Sequence, residues 1–389
     1  MTRITIIRHA EAEGNYYRRA HGHYDSLLTP NGIAQTEALR ERMKDVLFDA
    51  VYSSDLYRTK RTASVLRGWD GSPTHLLPSL RELCLGSWED VPWGELAESD
   101  ASALSIFMHQ PGQFLGRGER GESMAAAQSR MHRAVRSLTY KHIGQHIAVV
   151  SHGLAIRALM AALSGTPCDR LHEIPHTDNA AVSCVEWEGT GEGKAKTLYY
   201  GDNSHLGALS TLARQHWWRR GSGMTDINLW FRPITLPHDL PFVLHSLRDA
   251  WMTVYGTMDG FADDIAVAHA ERMAVAHPRA VAHAMHGQKP IGLVQLDTEV
   301  IAPYNDGHVA LVYLTREARG QSLGAQLMGH AVSVYRTLGR EHLHLRVAES
   351  NITARRLYAN LGFQEASREE GRHGKLLNMR MRIAIDENI

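Results

Sequence analysis

The chain has 389 residues, more than one core of ordinary size needs, and at about 150 residues per domain it suggests two or three domains, of which two are expected. Lysine plus arginine matches aspartate plus glutamate at 42 each, so no bulk field draws the protein to nucleic acid or to an anionic membrane, and any anion site must be local. The cysteines Cys84, Cys168 and Cys184 have neither zinc-site spacing nor the even count of a disulfide framework, and no segment reads as a signal peptide or membrane span, so the expected setting is a reduced cytoplasm.

In chain order, residues 1–214 alternate strand-like apolar runs with helical periodicity. The runs predict strands at Ile4–Ile7, Ala50–Ser53 and Ile147–Val150, and helices at Asn31–Lys44, Arg58–Leu66, Ser123–Tyr140 and Leu154–Leu163. Such alternation predicts the α/β class, with a three-layer, doubly wound, mainly parallel sheet covered on both faces. The irregular, Gly-, Trp- and Pro-containing stretch 85–121 is too long for a simple connection and reads as a functional cap or lid. Residues 215–226 combine aromatic, basic and Gly/Ser character and read as a linker, with its Arg/Trp cluster serving inter-domain packing rather than nucleic-acid binding.

From 227 to 389 the order changes, which predicts a second, mixed α/β domain. Strands are expected at Asn228–Ile234, Ala280–Met285, Ile291–Leu296, Val309–Leu314 and Leu343–Val347, and helices at Leu240–Gly256, Ile265–Ala276, Leu323–Thr337 and Thr353–Leu361. No internal repeat is visible. The 24 histidines, His269, His277, His283 and His286 among them, read as solvated or half-buried rather than as metal ligands.

Two of the apolar runs end in histidine: Ile4–Ile7 leads into Arg8-His9, and Ile147–Val150 into Ser151-His152-Gly153. In an open α/β sheet, ligands collect beyond the carboxyl ends of the strands, so both imidazoles could face one substrate. A neutral imidazole is a competent nucleophile toward phosphorus and splits one hard displacement into two easier ones, which assigns that attack to His9. A transferring phosphoryl group spreads charge over its oxygens and calls for fixed guanidinium donors, while a leaving alkoxide needs a carboxylic acid to protonate it.

The ordered set Arg8-His9-Ala10-Glu11, Asn15, Asp25, Leu28-Thr29, Ser53-Ser54-Asp55, Arg58, Leu80-Arg81-Glu82, Gly121-Glu122-Ser123, Ser151-His152-Gly153, Asn179 and Asp202–Leu206 resembles the histidine phosphatase superfamily, also called phosphoglycerate-mutase-like. The resemblance implies that Arg8, Asn15, Arg58 and His152 bind the phosphoryl group, that Glu82 is the acid and later the base, and that no metal is required. Taken singly, Arg58 could merely pair with Asp55, and Glu82 could be a surface carboxylate beside Arg81. Ala10 stands where many relatives have glycine. The run Glu82–Glu89 looks more like the phosphatase branch than the mutase branch, so hydrolysis is expected over isomerisation.

In the second half, Arg316–Ala325 lies between a strand and a helix and reads as an anion-binding turn. With Leu345–Phe363 it resembles the GNAT family of acetyl-CoA-dependent N-acetyltransferases. That resemblance implies acetyl-CoA as co-substrate, with Arg319, Gln321, Ser322, Leu323, Gly324 and Ala325 at the pyrophosphate, Tyr313 and Leu314 along the pantetheine arm, and Asn351 touching the cofactor. Tyr358 would protonate the departing thiolate, or it is a packed helix tyrosine. Glu349 is a conceivable base, and the acceptor groove would lie near Leu240–Ala276. Ser322 departs from the family's more frequent glycine.

The expected function is thus a bifunctional enzyme, releasing phosphate from a small phosphorylated metabolite through a phosphohistidine on His9 and acetylating a small amine. A phosphatase carrying a CoA-binding sensor or adaptor, and a phosphoglycerate-type mutase, are the alternatives.

Overall fold

The computed structural model describes all residues except 69–70, 190–193, 215–226, 301–304, 372 and 387–389. The expected linker at 215–226 lies outside the described residues. The first half is built on six strands: β1 (Thr2–Arg8), β2 (Ala50–Ser53), β3 (His75–Leu76), β4 (His146–Ser151), β5 (Val182–Glu188) and β6 (Lys194–Asp202). Their order in the sheet is β3-β2-β4-β1-β5-β6. The first four are parallel, and β5 and β6 add an antiparallel edge.

Alternate residues of these strands enter two cores. Ile4, Ile6, Tyr52, Ile147 and Val149 pack under α6 (Met124–Lys141) and α7 (Gly153–Leu163). Ile7, Val51, Ala148 and Val150 pack under α2 (Pro30–Met43) and α3 (Tyr57–Ala63). Because both faces are buried, the strands read as continuous apolar runs. The helices start on local chemistry: the Thr29 hydroxyl accepts from Gly32 N at 3.0 Å ahead of Pro30, and the Ser123 hydroxyl from Ala126 N at 3.2 Å.

Elements without a clear period escaped the sequence reading. In the first half they are α1 (Glu13–Tyr17), α8 (Thr211–Arg214), the short β3, the antiparallel β5 and β6, and two helices inside the cap expected to be irregular, α4 (Trp93–Ser99) and α5 (Ala101–His109). The cap folds because Trp88, Phe107 and Phe114 bury one another, with ring centroids 5.0 to 5.8 Å apart.

The second half is a seven-stranded sheet: β7 (Trp230–Pro233), β8 (Val281–His286), β9 (Lys289–Asp297), β10 (Gly307–Leu314), β11 (His342–Ala348), β12 (Gln364–Gly371) and β13 (Gly374–Arg382), in the order β12-β13-β11-β10-β9-β8-β7. Its helices are α9 (Leu240–Tyr255), α10 (Asp263–Ala276), α11 (Gly324–Thr337) and α12 (Ile352–Leu361). All neighbouring strands are antiparallel except β10 and β11. Those two pair only from Gly307 with Leu343 to Val309 with Leu345, and beyond that point they part.

The halves meet through α11. Arg336 forks onto Glu13 at 2.7 and 2.9 Å, Ser333 donates to Asp90 at 2.7 Å, and a Cβ on Gly329 would fall 2.5 Å from the Tyr17 side chain. Among the described residues no helix is long and apolar enough to cross a membrane.

Candidate active site

Parallel pairing of β1 with β4 sets Arg8 beside Ser151, so His9 and His152 leave the same sheet edge from adjacent strands. Their ring centroids are 5.1 Å apart. His9 Nδ1 lies 2.7 Å from the Ala10 carbonyl oxygen, which can only accept, so the proton sits on Nδ1 and Nε2 keeps its lone pair. Burial, reinforced by the Arg58 and Arg8 charges, pushes the imidazole well below the ordinary histidine range and keeps it neutral.

Arg8 and Arg58 line the same cavity as His9. Arg58 is buried. Arg58 is spread over three acceptors: the Gly22 and Tyr24 carbonyls at 2.7 and 2.9 Å and His152 Nδ1 at 3.2 Å. The loop that offers those carbonyls is itself held by Glu89, whose carboxylate accepts from Gly22, His23 and Tyr24 N–H groups. Arg8 donates to the Thr177 carbonyl at 2.5 Å, while its buried Nε has no hydrogen-bond partner. An orphaned guanidinium N–H beside a neutral imidazole is the signature of a site made for an anion.

Asp55 pairs with Arg81 at 2.5 Å, so the alternative pairing of Arg58 with Asp55 does not occur. Glu82 is buried rather than at the surface. One oxygen accepts from Leu83 N and Ala155 N at 3.0 and 2.8 Å, and the other from Leu154 N at 3.0 Å, which fixes the carboxyl at the amino end of α7. Asn15 lines the cavity, and its Oδ1 accepts from Ala12 N at 3.1 Å and from Asn179 Nδ2 at 3.2 Å.

His152 departs from its expected place among the phosphoryl donors. Its Nδ1 accepts from Arg58, so in the neutral ring Nε2 carries the proton, which lies 2.9 Å from Ser54 Oγ. Both nitrogens are engaged, and the ring supports Arg58 from behind instead of lining the cavity.

The far wall comes from the stretch expected to be a functional cap, although the sequence singled out none of its residues. Trp93, Ala97, Leu104, Phe107 and Met108 from α4 and α5 line the cavity, as does Asn228 from the start of the second half. Asn228 gave no signal beforehand because it carries no motif and lies 210 positions from the Arg18 it contacts.

In the second half the turn at Arg319–Ala325 precedes α11. Gly320 and Ser322 have φ of 78° and 59°, so the position where the family has glycine is one that demands left-handed backbone. Serine holds that conformation under strain. Leu323, Gly324 and Ala325 open the helix, where amide groups lack intrahelical acceptors and suit an anion. Arg319 turns away from the loop mouth: its Nε donates to the Leu314 carbonyl at 2.9 Å and its Nη2 to Asp249 at 2.8 Å. Gln321 binds the Glu317 carbonyl at 2.8 Å.

Tyr313 Oη meets Asp249 at 3.2 Å, and Leu314 follows it on the edge exposed by the parting of β10 from β11. Asn351, expected at the cofactor, spends its side-chain oxygen as the cap of α12, accepting from Ala354 N at 3.1 Å. Tyr358 is buried, 5.6 Å from the Phe363 ring, and burial pushes its phenol up to about 12, so it holds its proton at neutral pH. Within the short paired stretch of β10 and β11, His308 and His344 face each other with Nδ1 atoms 3.2 Å apart, a pair the sequence reading passed over. Burial, with the nearby His344 and Arg346 charges, lowers the His308 imidazole to about 4.

Residues 4–198 match the histidine phosphatase superfamily (branch 1), and residues 244–363 match the acetyltransferase (GNAT) family. The chain is 34% identical over 188 residues to the "probable phosphoglycerate mutase GpmB" of Escherichia fergusonii, spanning 48% of this chain and 86% of that protein. It is 31% identical over 189 residues to the protein of the same name from Photorhabdus laumondii, again over 48% of this chain and 86% of that one. Among solved structures, Bacillus stearothermophilus YhfR aligns at 33% identity and a TM-score of 0.49, covering 53% of this chain and all of that one. The alpha-ribazole phosphatase of Shigella flexneri aligns at 28% identity and a TM-score of 0.46, covering 51% and 96%. The chain belongs to the histidine phosphatase superfamily and carries, behind that domain, a GNAT acetyltransferase domain.

Proposed function

We propose that the first half, assigned here to residues 1–214, hydrolyses phosphate monoesters through a phosphohistidine on His9. The observation that supports this most is the His9 ring itself, neutral, proton-anchored on Ala10 and flanked by the guanidinium groups of Arg8 and Arg58. His9 Nε2 attacks phosphorus while the ester P–O bond breaks. Arg8 and Arg58 carry the charge spread over the equatorial oxygens, and Glu82 gives the departing alkoxide its proton. Water then attacks the phosphohistidine, Glu82 takes the proton from that water, and inorganic phosphate leaves with His9 restored. His152 acts as a positioning residue, holding the Arg58 fork.

The names of the curated relatives favour a second reading, phosphoglycerate isomerisation. A mutase keeps its phosphohistidine until a bisphosphate intermediate turns over, whereas a phosphatase admits water. Release of inorganic phosphate from p-nitrophenyl phosphate without added bisphosphate, abolished by His9→Ala, supports hydrolysis; a requirement for bisphosphate replaces it with the mutase reading.

For residues 227–389 we propose acetyl transfer from acetyl-CoA to a small amine. The left-handed turn ahead of α11 and the parting of β10 from β11 fit the pyrophosphate and the pantetheine arm, with acetyl-CoA supplying the activated acyl group. Tyr358 would protonate the thiolate, and His308, whose imidazole burial lowers to about 4, would take the proton of the amine. Amine-dependent thiol release from acetyl-CoA tests this reading. CoA binding with no turnover on any amine would leave the second half as a sensor or adaptor.

A further inference from the structure

The cavity in front of His9 encloses about 400 Å³, and one part of its wall is not made by the first half. Asn228 lines it, as do Arg18 and Arg19. Asn228 belongs to no motif of either domain, so its place in this wall is a property of the joined chain.

Arg18 is held in position from several directions. It closes α1 in left-handed backbone, φ 59° and ψ 48°, a conformation that an arginine keeps only when its surroundings over-determine it. Its N–H donates to the Gly14 carbonyl, and its own carbonyl accepts from Trp93 N at 3.0 Å, which ties it to the cap. The side chain is held from the other half: its Nε donates to Asn228 Oδ1 at 2.9 Å.

Asn228 is itself clamped. Gln326, in the first turn of α11, accepts from Leu229 N and donates to the Ile227 carbonyl, each at 2.8 Å. From the cap, α4 presses Gly94 so close that a Cβ there would fall 2.5 Å from the Asn228 carbonyl oxygen. An asparagine fixed through both neighbours and its own carbonyl presents its amide with little freedom left to lose.

Arg19 repeats the pattern. Its Nη2 meets Ser333 Oγ of α11 at 3.0 Å and its Nε meets Asp90 at 2.6 Å, while Nη1 is buried with no hydrogen-bond partner among the described residues. Gln326, Ser333 and Arg336 lie on one face of α11, at the spacing i, i+7, i+10, and all three grip the seam. Two adjacent guanidinium groups of the cavity thus take their bearings from the second half.

We infer that Asn228 is a positioning residue of the phosphatase site, orienting Arg18 toward the bound ester across the seam between the halves. The inference deepens the phosphatase reading and rests on it. A guanidinium placed at the wall attracts the ester equally before and during reaction, so its loss shows in KM rather than in kcat.

The test uses the full chain and p-nitrophenyl phosphate. Asn228→Leu keeps the side-chain size and removes the acceptor; KM should rise about tenfold with kcat held within about twofold. Arg18→Asn, whose new side chain tolerates left-handed backbone, should raise KM by a similar factor, and the double variant should go no further because Asn228 acts through Arg18. Should Asn228→Leu not fold, Gln326→Met loosens Asn228 from outside the cavity and should raise KM by about threefold; no rise there overturns the inference.

KM unmoved by either single substitution, a fall in kcat with KM unmoved, or single effects that multiply to about a hundredfold in the double variant would each overturn the inference and leave hydrolysis intact. Calorimetric binding of phenylphosphonate separates the two claims. Binding weakened about tenfold by both single substitutions, with no ester turned over by the native chain, sustains the role of Asn228 and sinks the hydrolase reading, whereas binding indifferent to both sinks the inference.

Discussion

The His9 cavity and the turn at Arg319–Ala325 are both read as anion sites, yet they are built on opposite principles. The first is buried, and each charge in it is positioned by the protein: Arg58 on three acceptors, Glu82 on three amides, and the Gly22–Tyr24 loop that receives Arg58 on Glu89. The second is exposed, uses backbone rather than charge, and keeps Ser322 in a left-handed conformation. Preorganised charge in a dry cavity suits stabilisation of a transition state, where reorganisation at the moment of reaction is what slows chemistry. An open backbone turn suits a ligand that binds, reacts at its far end and leaves.

This contrast breaks most sharply at His9. His9→Ala should lower phosphate release by about 10⁴-fold or more, since His9 is the imidazole flanked by Arg8 and Arg58, with no effect on acetyl transfer; parallel assays of both activities check it. Arg58→Lys should cost about 10²- to 10³-fold in kcat, because an ammonium cannot serve three acceptors and a phosphoryl group at once. A lysine variant with near-native kcat would show that charge alone, without the fork, suffices.

Arg336→Ala probes the seam between the halves. The pair it forms with Glu13 is largely buried, with side-chain exposures of 13% and 6%, and removing one partner strands the other charge at a cost of about 3 kcal/mol. Denaturant unfolding reads the loss, and the phosphate-side activity should suffer more than the acetyl-side activity because Glu13 opens the helix that carries Asn15.

Acid should act through the buried histidines. His9 and His152 lie well below the ordinary histidine range through burial and the Arg58 charge, and burial with nearby arginines lowers His176 and His330 to about 3. The unfolded chain takes up protons below about pH 6.5 that the folded chain refuses, so stability is full above that value and declines as pH falls toward 3, by at most about 1.4 kcal/mol per pH unit for each group. The limb of kcat/KM set by His9 should likewise lie below the ordinary histidine range, and a loss of activity centred near 6.5 would contradict a neutral, buried His9.

The smallest effect is expected at the exposed turn. Ser322→Gly should relieve about 1 kcal/mol of left-handed strain and tighten CoA binding by a few-fold at most, read by calorimetry. Unchanged affinity would mean that the turn tolerates serine without strain that matters to the ligand.

Much of the first site was legible in the sequence because its residues sit at strand ends and helix starts, where apolar runs break into Arg-His, Ser-His-Gly or Arg-Glu. The role of His152 was not, since only coordinates show both its nitrogens taken. Nor was Asn351, whose position in the motif pointed to the cofactor while its side chain caps a helix. β12 escaped because Gln364–Gly371 lies almost wholly in water and shows no alternation. α4 and α5 escaped because their burial comes from aromatic contacts within the cap rather than from a helical stripe.

The central claim is most directly tested by acid-free rapid quenching of the full chain during ester turnover, followed by peptide mass analysis. The account predicts a transient phosphoryl group, labile to acid, on the peptide containing His9 and absent from His9→Ala. Turnover at a normal rate with no phosphopeptide, or with the phosphoryl group on another residue, would contradict it.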